Sequence, residues 1–267
     1  MLAPLPLPLD EAWRTLLATL LTDGQPVSPR GLPTLELPQV TLAVDASRAV
    51  LTNAARKLGY RFMAAEAYWL LTGDDRVATI APYNERIKEF SDDGRTFFGA
   101  YGPQFIAQLG HVVRALHAEE STRQAVMTLW RPSPPPTRDA PCTVAISFQV
   151  RQRRLNAHAF MRSSDAWLGV PYDAFNLAMV TYYLNGLLNI GTTPGCVYLT
   201  MASSHLYRSN LEAAEACLSA PASVAGPVPV NLAVEPRTLL WRLRLLRDER
   251  AGSALRWWEI NDDTASV

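Results

Sequence analysis

Pro141-Cys142-Thr143 and, about twenty residues further on, Arg162-Ser163 hold the side chains of this chain most able to do chemistry together. A free thiol ionises near pH 8.5, and a guanidinium beside it favours the nucleophilic thiolate. The same guanidinium with an adjacent hydroxyl forms a fork of donors suited to a phosphate. The stretch runs on through Asp165 to Gly169-Val170-Pro171-Tyr172-Asp173, where a glycine and a proline open a helix. Asp173 has an ordinary explanation too, because the helix dipole favours acidic residues in a first turn.

A hairpin is what would set Cys142 against Arg162. Val144, Ile146, Phe148 and Val150 alternate on one strand, and Leu155, Ala157, Ala159 and Met161 on the next. A turn folded about Gln152 places Cys142 opposite Arg162, and a slip of one residue leaves them neighbours. Glu66 stands in the apolar helical run from Met63 to Leu71, where a carboxylate is partnered or functional because burying it unpaired is costly. His205 and Tyr207 point the same way on a strand, which core packing alone would explain. Cys196 and Cys217 read as small hydrophobes, His158 as a solvated or edge-strand residue, and Arg30 and Arg123 as isolated surface arginines.

The elements that must position these residues follow from periodicity. Residues 10–22 form an amphipathic helix with Asp10 as N-cap, 35–45 a long strand or a strand pair, and 49–72 a helix closed by Gly73. Residues 80–105 lack a period and read as an irregular, ligand-facing region. A helix over 104–118, a short strand over 125–130 and a stiff loop from Arg131 lead to the hairpin. After it come an apolar helix over 173–189, a buried strand over 196–201, a helix over about 210–218, a Pro/Ala/Val-rich linker and a strand over 239–246. Strands and helices intermixed in this way predict an α+β fold, a mixed sheet flanked by helices, in one domain over 1–267. The Pro-rich start (1–9) and the tail (260–267) are expected to be flexible.

Formal net charge is zero, which gives no nucleic-acid or membrane surface but leaves room for a local basic pocket. No apolar run reaches transmembrane length, and the apolar start lacks the basic region of a signal peptide. The three cysteines are unevenly spaced and make neither a disulfide framework nor a metal site, so a reducing cytoplasm is the expected setting.

Taken in order, Pro141-Cys142, Arg162-Ser163-x-Asp165, Leu168-Gly169-x-Pro171 and His205-x-Tyr207 resemble the folate-dependent thymidylate synthase family, in particular its pyrimidine hydroxymethylases, over about residues 25–215. The resemblance implies that Cys142 attacks C6 of a pyrimidine nucleoside monophosphate and that Arg30, Arg162 and Ser163 bind its phosphate. It implies a homodimer in which Arg123 reaches the partner's phosphate site, although the usual second arginine is Gln124 here. Glu66 matches the family's proton-managing glutamate and Tyr101 the tyrosine that helps remove the C5 proton. Asp165 matches a folate contact, and His205 and Tyr207 the pair on the sugar 3'-hydroxyl.

Two departures bear on specificity. Thymidylate synthases carry Asn where this chain has Asp173, and an aspartate resembles the deoxycytidylate hydroxymethylases, implying cytosine as the base. Ile87 and Phe90 stand where the family packs aromatic residues against methylenetetrahydrofolate, and the end of this sequence lacks the usual apolar closing tail. A less tightly shut site admits water. The expected reaction is therefore 5-hydroxymethylation of dCMP, ahead of CMP, without a metal. The alternatives are reductive methylation of dCMP, a cytidylate hydroxymethylase serving antibiotic synthesis, and a silent nucleotide-binding relative. A zinc deaminase would need a second cysteine three residues after Cys142, and none stands there.

Overall fold

The computed structural model describes residues 5–132, 134–220 and 235–248. Their elements are α1 (Leu9–Asp23), β1 (Gln25–Val27), β2 (Thr34–Asp45), α2 (Tyr60–Leu71), α3 (Val77–Ile80), α4 (Tyr101–Ala118), β3 (Val126–Thr128), β4 (Thr143–Arg151), β5 (Arg154–Met161), β6 (Ser164–Asp165), α5 (Val170–Leu188), β7 (Thr193–Tyr207), α6 (Leu211–Ser219) and α7 (Pro236–Asp248). The strands form one mixed sheet in the order β1-β2-β7-β5-β4-β3, with β6 beside β7. β7 runs parallel to β5 and β6 and antiparallel to β2. This is the expected α+β architecture.

The alternating positions of β4 and β5 point their apolar side chains inward, with Ile146, Phe148, Val150, Leu155, Ala157, Ala159 and Met161 all buried. They meet α5, which is apolar around most of its circumference, as a helix buried over most of its surface must be. Trp13, Leu16 and Leu17 of α1 complete that core. The opposite face of the sheet has no helix on it among the described residues. It carries Thr41, His158, Phe160, Tyr198 and Thr200, with the His158 and Phe160 rings stacked 4.2 Å apart and Thr41 bonded to Thr200 at 3.0 Å.

The hairpin reaches its expected end by a different path. Its turn is Gln152-Arg153, both with positive φ (52° and 61°), as a two-residue hairpin of matching twist requires. Arg151 therefore pairs with Arg154 and Ile146 with Ala159, one residue off a fold about Gln152. A bulge at Val144 takes up the difference, so that Thr143 pairs with Met161 and the Arg162 amide donates to the Cys142 carbonyl at 2.9 Å.

Other expectations are corrected. Asp10 lies inside the first turn of α1, behind Pro8, and its carboxylate accepts from the Thr52 amide and hydroxyl instead of capping the helix. The helix expected from residue 49 begins only at Tyr60, because the Asn53 side chain caps a separate 3-10 turn and Lys57 turns left-handed at φ 49°. Its end is as read: Gly73 at φ 74° and Asp74 donate back to Leu70 and Trp69, satisfying the last carbonyls. The last expected strand is the helix α7, since Leu239, Leu243 and Leu246 are buried at helical spacing. At the start, Leu7 pairs with β2, its amide donating to Ala43 and its carbonyl accepting from Asp45, so residues 7–9 belong to the fold. The linker and the 260–267 tail lie outside the described residues.

Candidate active site

Topology gathers the chemistry at one end of the sheet. Cys142 precedes β4 and Arg162 follows β5; Ser164 and Asp165 then run beside β7, which sets Asp165 next to His205. Residues 166–169 turn the chain into α5, and the Asp165 Oδ1 holds that turn by accepting from Trp167 (2.7 Å) and Leu168 (3.0 Å). Asp173 lies in the first turn of α5 and Tyr101 in the first turn of α4.

The Arg162 guanidinium grips the backbone around the thiol. Nε donates to the Pro141 carbonyl (3.0 Å) and Nη2 to that of Ala140 (2.8 Å), with Nη2 also 3.8 Å from the Cys142 Sγ. Nη1 donates to the Ser163 hydroxyl at 3.1 Å. The expected thiolate is nevertheless opposed. Burial raises the Cys142 pKa and a charged Asp173 raises it further, outweighing the pull of Arg162 and Ser163. In the nucleotide-free protein the thiol is therefore protonated.

Asp173 and Glu66 are largely enclosed by protein, each keeping some exposed surface. Burial pushes each carboxyl up to about 7. One oxygen of each is held by a buried donor: Ser164 Oγ on Asp173 Oδ2 at 3.0 Å, and Asn176 Nδ2 on Glu66 Oε2 at 2.8 Å. Tyr101 joins them, its hydroxyl accepting from the Thr143 amide at 3.0 Å while burial holds its proton firmly on. Before Cys142, Asp139 accepts from the Gly99 amide at 2.7 Å and is raised to about 6 by burial.

This enclosure predicts a pH effect on stability. Asp173 and Glu66 keep their protons to about pH 7 when folded but lose them near pH 4 when unfolded, so the folded chain binds more protons between those values. Stability is then fully present below pH 4 and falls as pH rises toward 7, by roughly 3 kcal/mol or more for each carboxyl. Asp139 acts in the same direction. Asp74 and Asp93, lowered to about 2, are ionised throughout that window. Urea midpoints at pH 5 and pH 8 should differ clearly in the native sequence and less in Asp173→Asn. Equal differences in the two proteins would contradict the enclosure of Asp173.

At the far side of β7, His205 and Tyr207 lie together, ring centroids 5.3 Å apart. Arg30 reaches Tyr207 Oη at 3.5 Å from a turn in which it is itself left-handed, at φ 57°. Burial lowers the His205 pKa and Asp165 opposes that. Ile87 packs with Tyr172 on a second apolar cluster around Phe62 and Trp69, whereas Phe90 and Leu168 are exposed (53% and 55%). Arg123 is not in this group. It shares a concavity with Thr122, Gln124 and Arg151, and Arg151 ends β4 about 30 Å along the strand from Cys142.

Two side chains of the site were not singled out from sequence. Ser164 was passed over between Ser163 and Asp165. Asn176 carried a signal: an amide in an apolar helix, one turn after Asp173.

A sheet bearing a thiol against a guanidinium, facing two enclosed carboxyls on helices, defines the class of fold and site. The chain belongs to the thymidylate synthase family: the family model described as Thymidylate synthase matches residues 11–237. Among curated proteins it is similar to the deoxyuridylate hydroxymethyltransferase of Bacillus phage SP01, at 27% identity over 218 residues. That match covers 74% of this chain and 56% of the relative, so the chain spans little more than half of that protein's length.

Proposed function

We propose that this protein transfers a one-carbon unit to C5 of a cytidine monophosphate, dCMP ahead of CMP, and releases the 5-hydroxymethyl nucleotide. The observation that carries the choice of base is Asp173 itself, enclosed, held by Ser164 and raised to about 7. Near neutral pH such a carboxyl shares a proton with cytosine N3 and accepts from the 4-amino group. Toward uracil, an ionised carboxylate meets O4 as a second acceptor and repels it. The named activity of the phage relative supports the hydroxymethyl outcome, while its uracil substrate is where this chain is proposed to differ.

In this reading Cys142 Sγ adds to C6 and makes C5 a carbon nucleophile, and it leaves C6 again when water adds to the new carbon on C5, freeing the product. Base binding and thiol activation are linked, because a protonated Asp173 no longer raises the Cys142 pKa. Arg162 Nη1, Ser163 and Arg30 hold the phosphate, and His205 and Tyr207 the sugar 3'-hydroxyl. Tyr101, through water, moves the C5 proton, and Glu66 holds the water that hydrates the carbon left on C5.

Methylenetetrahydrofolate, when bound, supplies the one-carbon unit. The residues present fit a flat, partly polar heterocycle: the Asp165 carboxylate, the exposed Leu168 and Phe90, and Ile87 on its apolar cluster. A homodimer is part of the proposal, supported by the sheet face that no helix covers among the described residues and by an Arg123 too far from its own Cys142 to serve it. Incubation with labelled dCMP, CMP and dUMP plus methylenetetrahydrofolate tests the reading. A 5-methyl product with dihydrofolate would overturn the hydration step, and preference for dUMP would overturn the role of Asp173. Nucleotide binding without C5 proton release would mark a silent relative.

A further inference from the structure

Asn176 is 8% exposed on α5, a helix buried over most of its circumference. Its Nδ2 donates to Glu66 Oε2 at 2.8 Å, while its Oδ1 is buried without a hydrogen-bond partner. A buried amide with one half unused is an expensive feature to place in an apolar helix, where a leucine would pack freely. An amide is also a donor on one edge and an acceptor on the other, exchanged by a half-turn about its last bond.

We propose that Asn176 is a positioning residue that keeps one hydrogen bond to Glu66 in both of its protonation states, donating to the carboxylate and, turned over, accepting from the acid. The inference rests on the proposed role of Glu66 in holding and moving a proton during hydration. It deepens that role by naming the group that keeps the carboxyl in place while its charge changes. A catalytic acid that lost this polar partner on protonation would swing away from the water it must hold.

The surroundings leave this task to Asn176. From α5, Asp173 and Tyr172 face Glu66, and both oppose its ionisation when charged. Tyr101 of α4 and Cys142 before β4 feel the charge of Asp173. Arg247 of α7 lies over Tyr68, and the Arg61 Nε donates to the Arg247 carbonyl. Arg61 and Tyr68 project from the side of α2 opposite Glu66, since two or five residues along a helix is close to half a turn. The Glu66–Asn176 bond is thus the stabilising contact on that carboxylate.

The test uses the full chain without nucleotide. The Glu66 carboxyl band is followed by infrared titration, assigned by its loss in Glu66→Gln, for the native sequence and for Asn176→Leu. Leucine fills the same space in an apolar helix and removes both halves of the amide. Because the bond to the ionised carboxylate is the stronger of the two, the expected result is a Glu66 midpoint raised by about one pH unit, a tenfold gain in proton affinity. In the native protein the Asn176 side-chain amide resonance should move with the same midpoint and stay fixed in Glu66→Gln, a readout that needs no Asn176 variant to fold. With cytidylate, Asn176→Leu should lower kcat about tenfold or more with KM little changed. An unmoved Glu66 midpoint, or an Asn176 resonance indifferent to pH, overturns the proposal. If the native protein turns over no nucleotide while both titrations behave as stated, the proposed function fails and the amide partnership stands.

Discussion

Cys142→Ala should abolish release of the C5 proton, lowering turnover on the order of 10⁴-fold or more, while the protein still folds and binds nucleotide. The reason lies in the order of events. C5 of a pyrimidine is a poor nucleophile until a group adds to C6, and among the described residues the other thiols, Cys196 and Cys217, are buried. The substitution removes little packing, because Cys142 is only partly buried at the end of a strand whose register is set by the bulge at Val144. Tritium release from 5-labelled dCMP in the presence of methylenetetrahydrofolate measures the step, and equilibrium dialysis measures binding. Retention of even a hundredth of the native rate would mean that C6 is activated by another group.

Asp173→Asn should reverse the preference of the site. Turnover of cytidylate is expected to fall on the order of 100-fold in kcat/KM, and that of dUMP to rise from near zero to a readily measured value. An amide presents a fixed donor and acceptor, which suits uracil O4 and N3–H. It has no proton to share with cytosine N3, so the step that makes C6 electrophilic loses its assistance. Ser164 matters here because its hydroxyl at 3.0 Å fixes which carboxyl oxygen is left for the base. Competition of dCMP with dUMP for the native and Asp173→Asn proteins gives the ratio directly. An unchanged ratio would place base choice elsewhere in the cleft.

Much of this molecule was legible in order of residues. Alternation from Val144 to Met161 specified the hairpin, and Gly73 after an apolar run specified the end of α2, because both depend on neighbours in sequence. Local signals misled where a side chain from far away decided. Asp10 reads as a cap until Thr52 is seen to occupy it. Leu239 to Leu246 suits a strand or a helix until α2 and α5 are there to receive one stripe of it.

The sequence by itself determined the family, the thiol and the guanidinium opposite it, since a motif and a two-residue periodicity carry those. Only the tertiary structure decided their charge states. Cys142 is beside a guanidinium, yet its thiol keeps its proton, because burial and Asp173 act on it from another element. Glu66 and Asp173 lie over a hundred residues apart, and enclosure between α2 and α5 raises both to about 7. Ionisation depends on everything within a few ångströms of a group, and most of that neighbourhood is brought there by the fold.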